Sequence, residues 1–180
     1  MMKGEKMIKL INLDKTNIKV NVKELYINEF PKYERFPFWF LIYKSKKKHS
    51  DFYVVYDDTE YIGLLYLTYY KDIVYIFYLS IDPSQQSKGY GSEILQYLSQ
   101  TYADKRLLLN IEKVDKSAVN YEQRYKRKKF YEKNGFKNTN FEIEKKDIVY
   151  EILFLGKDVY EYEYHALFKT YLGRILNHIL

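Results

Sequence analysis

The chain of 180 residues has no cysteine, which excludes disulfides, thiolate nucleophiles and cysteine-based zinc sites together. It has three histidines (His49, His165 and His178), none at ligand spacing from another, so no metal is assigned. Prolines number three, and no Pro/Ser/Gly-rich linker or internal repeat interrupts the sequence. A single domain over residues 1–180 is therefore expected. No apolar run approaches the roughly 18 residues of a membrane span. Met1-Met2-Lys3-Gly4-Glu5-Lys6 lacks the apolar centre of a signal peptide. The expected location is the cytoplasm, with no membrane partner.

What is present is a globular composition, 47% hydrophobic, with a net charge of +6. Mild basicity suits an anionic ligand or nucleic acid and selects neither. Heavy use of Lys, Asn, Ile and Tyr reads as the bias of an AT-rich, bacterial genome. With 22 tyrosines, no single tyrosine can be singled out from composition.

Apolar patterning predicts a strand over 7–13, a helix over 21–30 with Asn21 as cap and Pro31 as stop, and a short helix over 38–44 opened by Pro37. Strands follow over 51–56, 60–70 and 73–81, joined by turns short enough for an antiparallel meander, with Gly63 marking a bulge. A helix over 89–102, a strand over 106–112, a basic helix over 117–134 and a hairpin of 136–143 with 148–155 complete a core of about 7–155. Residues 158–180 read as an extra C-terminal helix, most simply a packing or dimer element. The strand–helix–strand passage from 73 to 112 is a right-handed crossover, so those two strands run parallel.

The stretch Leu79-Ser80-Ile81-Asp82-Pro83-Ser84-Gln85-Gln86-Ser87-Lys88-Gly89-Tyr90-Gly91-Ser92 joins a strand to a helix. Helix N-terminal N–H groups lack intrahelical partners and carry partial positive charge, and glycine admits an anion close to the main chain. The spacing matches neither a P-loop nor a dinucleotide fingerprint. A second stretch, Phe130-Tyr131-Glu132-Lys133-Asn134-Gly135-Phe136, ends the basic helix.

Gln86-x-x-Gly89-x-Gly91 and Phe130-Tyr131-x-x-x-Gly135-Phe136, in this order and with this element sequence around them, resemble the GNAT superfamily of acyl-CoA-dependent N-acyltransferases. The resemblance implies an α+β fold: a mostly antiparallel mixed sheet of about seven strands with one splayed parallel pair, and helices on both faces. It implies acetyl-CoA as cosubstrate and an amine of a small molecule or protein as acceptor, attacked directly. Backbone groups of Leu79, Ser80 and Ile81 would pair with the pantetheine arm. The loop residues Gln86, Ser87, Lys88, Gly89, Tyr90, Gly91 and Ser92 would hold the pyrophosphate. Tyr131 would protonate the leaving thiolate, a modest task because that thiol has a pKa of about 8.5.

The sequence departs from the family at the base. Many members carry a Glu on the strand before the glycine loop, and residues 73–81 hold no acid. Glu112 and Glu34 are the two substitutes. Many members also have Asn where this chain has Arg124, so Asn120 substitutes as a cofactor contact or Arg124 meets the phosphates itself. The missing acid leaves open an alternative, a catalytically degenerate acyl-CoA-binding sensor or structural protein. The basic run from Arg124 to Lys129 reads first as a solvated face. Nucleic acid is disfavoured as a partner because no aromatic platform interleaves with the charges.

Overall fold

The computed structural model describes residues 6–173. In chain order the elements are β1 (Ile8–Asn12), α1 (Lys19–Glu29), α2 (Phe38–Ser45), β2 (Ser50–Asp57), β3 (Glu60–Tyr70), β4 (Ile73–Ile81), α3 (Tyr90–Thr101), β5 (Arg106–Glu112), α4 (Tyr121–Lys133), β6 (Lys137–Lys145), β7 (Ile148–Leu155) and α5 (Glu161–Leu172). The strands hydrogen-bond in the order β1-β2-β3-β4-β5-β7-β6, a seven-stranded sheet in which β4 and β5 form a parallel pair. The chain divides into two compact units: the described residues through Thr68 with Ile76–Leu98, and Tyr69–Tyr75 with the described residues from Ser99 onward.

In the first unit, Ile62 and Leu64–Leu67 of β3 are buried, as a central strand requires. The β2–β3 register slips between Val55 and Tyr56, opposite Gly63 and Tyr61, so a bulge leaves Ile62 as the extra residue, next to the glycine expected to mark it. Packed on these strands is an aromatic cluster centred on Tyr78, whose ring meets Tyr26 at 4.9 Å and Phe30 at 4.8 Å, both edge to face. Helix α1 begins at Lys19 with Ile18 as N-cap, so Asn21 lies inside the first turn and caps nothing.

In the second unit, the parallel ladder pairs Ile73–Tyr75 with Arg106–Leu108, and β5 then pairs antiparallel with β7 from Leu107 to Glu112. Arg106 is the unit's buried cation. It meets Asp72 at 2.7 Å, Glu163 at 2.8 Å and the Asp158 carbonyl at 2.8 Å, tying the turn before β4 and the start of α5 to β5. Helix α4 starts at Tyr121, four residues after the predicted start. Asp115 accepts from the Ser117 N–H at 2.8 Å and its hydroxyl at 2.7 Å, a side-chain turn that competes with helix there. The C-terminal helix spans Glu161–Leu172 within the predicted 158–180; Ile175, His178 and Ile179 lie outside the described residues.

Candidate active site

The glycine loop is built in the first unit. Asp82 turns the chain at the end of β4, its carboxylate accepting from the Ser84 N–H at 3.0 Å and its carbonyl from the Gln85 N–H at 2.8 Å. Gln86 donates back to the Ile81 carbonyl at 3.1 Å. Ser87 and Gly89 both adopt left-handed backbone conformations, with φ of 62° and 87°. The first bond of α3 runs from the Glu93 N–H to the Gly89 carbonyl at 3.3 Å. Among the described residues, none accepts a hydrogen bond from the backbone N–H groups of Gln86 through Ser92. A row of unsatisfied donors at a helix N-terminus, with left-handed residues interspersed, is an anion-binding concavity.

The loop is braced from residues that the sequence pattern did not single out. Gln85 is buried and donates to Glu60 at 2.7 Å, and Lys88 donates to Gln85 at 2.8 Å. The Tyr90 hydroxyl donates to Asp57 at 2.9 Å. Lys6 donates to the Lys88 carbonyl and lies 4.3 Å from the centre of the Tyr90 ring. No local motif announces these partners, because Asp57, Glu60 and Lys6 are far from the loop in sequence.

Leu79, Ser80 and Ile81 end β4 beside Gly63 of β3. A Cβ at Gly63 would overlap the Ser80 carbonyl oxygen and stand 3.0 Å from the Ile81 Cα. This glycine is required by the close approach of one backbone to another.

Glu34 is half-buried in the segment between α1 and α2. Tyrosine hydroxyls hold that segment. The Tyr78 hydroxyl donates to the Glu34 carbonyl at 2.8 Å and accepts from the Phe36 N–H at 3.2 Å, and Tyr26 donates to the Phe36 carbonyl at 2.9 Å. Burial, with the neighbouring Tyr26, raises the Tyr78 pKa well above its ordinary value, so it stays a neutral donor.

Tyr131 belongs to the second unit, and the structure explains its motif. Gly135 donates to the Glu132 carbonyl at 3.0 Å and Phe136 to the Tyr131 carbonyl at 3.1 Å, the paired bonds of a Schellman helix end. Gly135 has a φ of 86°, and Phe136 folds back against the Tyr131 ring at 5.6 Å. The Phe-Tyr-x-x-x-Gly-Phe spacing thus fixes a tyrosine on the last turn of α4. Burial raises the Tyr131 pKa, with Arg127 opposing, and no described residue hydrogen-bonds its hydroxyl.

Glu112, Asn120 and Arg124 come together in that same unit, on one another. Glu112 is buried, accepting from Asn120 at 3.0 Å and pairing with Arg124 at 3.3 Å and Arg127 at 3.9 Å. Arg124 also donates to Asn120 at 2.7 Å and to the Lys113 carbonyl at 3.0 Å. Lys128 pairs with buried Glu151. Much of the basic face of α4 is therefore balanced by carboxylates of β5 and β7 instead of being simply solvated. Among the described residues no acidic or histidine cluster could hold a metal, and no helix is long and apolar enough to cross a membrane.

Several solved structures share this fold. A protein described as a GNAT-family acetyltransferase from Bacteroides thetaiotaomicron superposes with a TM-score of 0.75 at 18% identity, covering 94% of this chain and 97% of its own. The N-acetyltransferase PseH of Campylobacter jejuni, solved with acetyl coenzyme A, gives 0.57 at 20% identity over 84% of this chain and all of its own. A Salmonella typhimurium acetyltransferase that modifies the N-terminal serine of ribosomal protein L7/L12 gives 0.60 at 15% identity, over 86% and 97%. At these identities the likeness establishes the fold. No curated protein matches the chain in sequence. The acetyltransferase (GNAT) domain profile matches residues 48–138, half of the sequence and both motifs, and the chain belongs to the GNAT acetyltransferase family.

Proposed function

We propose that this protein transfers an acetyl group from acetyl-CoA to an amine. The observation that carries the reading is the run of unpartnered N–H groups from Gln86 to Ser92. Seven neutral donors suit a diphosphate, and Gly89, in a left-handed conformation, leaves the main chain bare beside them. The matched family segment runs through both compact units, which supports one functional domain.

Acetyl-CoA supplies an activated thioester. The chain's own groups do the rest. Amides of Gln86 to Ser92 hold the diphosphate, and backbone groups of Leu79 and Ile81 hold the pantetheine amides as a false strand. Tyr131 donates its phenolic proton to the departing sulfur. Its raised pKa keeps that proton in place at neutral pH.

An alkylamine with a pKa of about 10.4 must lose a proton before it attacks. Of the two carboxylates, the base is assigned to Glu34, on the segment that Tyr78 and Tyr26 hold within the same unit as the glycine loop. Glu112 lies in the other unit, its oxygens already shared with two guanidinium groups and an amide. Asn120 and Arg124 then act as structural partners of Glu112 instead of contacting cofactor. Calorimetric titration with acetyl-CoA tests the core of this reading. Binding in the micromolar range is expected, and no heat at millimolar cofactor would sink it. The acid-free strand β4 and the paired Glu112 favour a second reading, a cofactor-binding sensor, which predicts equally tight binding with no transfer to any of a broad panel of amines.

A further inference from the structure

We infer that Lys6, outside both sequence motifs, is a cofactor-binding residue that places an ammonium group on the diphosphate of CoA; the inference rests on the cofactor reading above. Three observations within the first unit fix this side chain. Its Nζ donates to the Lys88 carbonyl and lies over the Tyr90 ring at 4.3 Å. It would stand 3.2 Å from a Cβ at Gly89, on the backbone between the unpartnered amides. The adjoining Met7 N–H donates to one oxygen of Asp57 at 2.7 Å, while the Tyr90 hydroxyl donates to the other at 2.9 Å. One carboxylate thus ties the segment carrying Lys6 to the first residue of α3.

The chemistry follows from donor counting. An ammonium group has three N–H donors, and the Lys88 carbonyl uses one, leaving two for phosphate oxygens. The cation inside the motif, Lys88, donates from its amine to buried Gln85, which is itself held by Glu60, whereas the Lys6 amine lies beside Gly89. The amides supply partial charges only, so Lys6 adds the formal positive charge that a diphosphate attracts.

The test is calorimetry on the full chain with CoA and with dephospho-CoA, from 50 to 400 mM salt, for wild type, Lys6→Gln and Lys6→Arg. Lys6→Gln is expected to weaken CoA binding about three- to tenfold and to flatten its salt dependence, the scale of one charge-assisted contact. Lys6→Arg is expected to recover most of the affinity, and the loss should persist with dephospho-CoA. Unchanged affinity in Lys6→Gln overturns the inference while leaving the cofactor reading intact. So does an unchanged salt slope, which would mean packing instead of charge. A loss confined to CoA would move the contact to the 3′-phosphate and overturn the diphosphate assignment. If wild type itself binds no CoA, the cofactor reading fails, and this inference with it.

Discussion

Arg106 and Glu163 form a two-pronged ion pair: Nη1 lies 2.9 Å from Oε2 and Nη2 lies 2.8 Å from Oε1. Glu163 Oε2 also accepts from the Tyr160 N–H at 3.0 Å, so one side chain both caps α5 and fastens it to β5. The side chains of both charged partners are 11% exposed, and neutralising Glu163 would leave the buried Arg106 with Asp72 as its remaining carboxylate partner among the described residues. Glu163→Gln is expected to lower stability by about 3 kcal/mol, or roughly 6–12 °C in Tm for a domain of this size. Differential scanning calorimetry checks this.

The same pair gives a pH dependence with a definite sign. Hydrogen bonding and charge from Arg106 hold the Glu163 carboxyl below its ordinary value, and Asp72 on the same guanidinium is lowered too. A depressed carboxyl stabilises the fold fully above its unfolded pKa of about 4.3 and loses that contribution as pH falls through the folded value. Wild-type Tm should therefore fall steeply below about pH 4.3, while the Glu163→Gln curve should be flatter over that range. Parallel curves would show that the pair contributes nothing to acid lability.

How far the sequence could have led differs between fold and site. Strands β3, β4, β5 and β7 have the predicted bounds because each is a mostly apolar segment closed by polar turns. The errors fall where side chains compete with the main chain. The helix expected from 117 starts only at Tyr121, with Asn120 at its N-cap position and that side chain bonded to Glu112 and Arg124. The Asp115–Ser117 turn delays that helix. The glycine loop and the Tyr131 helix end were legible because both are local backbone devices. The partners of Glu112, and the approach of Lys6 to the loop, arise between residues distant in sequence, where charge alone names no partner.

Gly63→Ala is the substitution that most directly tests the shape of the β4 end. The added methyl would overlap the Ser80 carbonyl, a backbone atom that cannot swing aside. Overpacking of this kind costs about 1–3 kcal/mol. The displaced atoms belong to the residues proposed to hold pantetheine, so the affinity for acetyl-CoA should drop along with Tm. A variant that keeps wild-type affinity would show that the cofactor does not depend on this strand end.

Tyr78→Phe separates the acceptor side from the cofactor side. It removes one hydroxyl that both donates to the Glu34 carbonyl and accepts from the Phe36 N–H, so two main-chain groups lose that partner. The expected loss is about 1–3 kcal/mol. If Glu34 is the base, the loosened segment should raise KM for the amine and lower kcat while the dissociation constant of acetyl-CoA stays near that of wild type. An equal fall in cofactor affinity would mean that Tyr78 supports the glycine loop instead.

Tyr131→Phe addresses the proton given to sulfur. Burial raises this phenol above its ordinary value of 10.0, so wild-type turnover should show no alkaline loss from it up to that pH. Removing the hydroxyl should lower kcat about 10- to 100-fold, at or below the lower end of the usual range for general acid catalysis, because the thiolate leaves easily. Acetyl-CoA affinity should change little, since the ring and its contacts with Phe130 and Phe136 remain. The sharper check varies the leaving group. With thioesters of progressively more acidic thiols, the deficit of the Phe variant should shrink, because a better leaving group needs less protonation. A deficit that stays constant along the series would assign Tyr131 to packing and remove it from the chemistry.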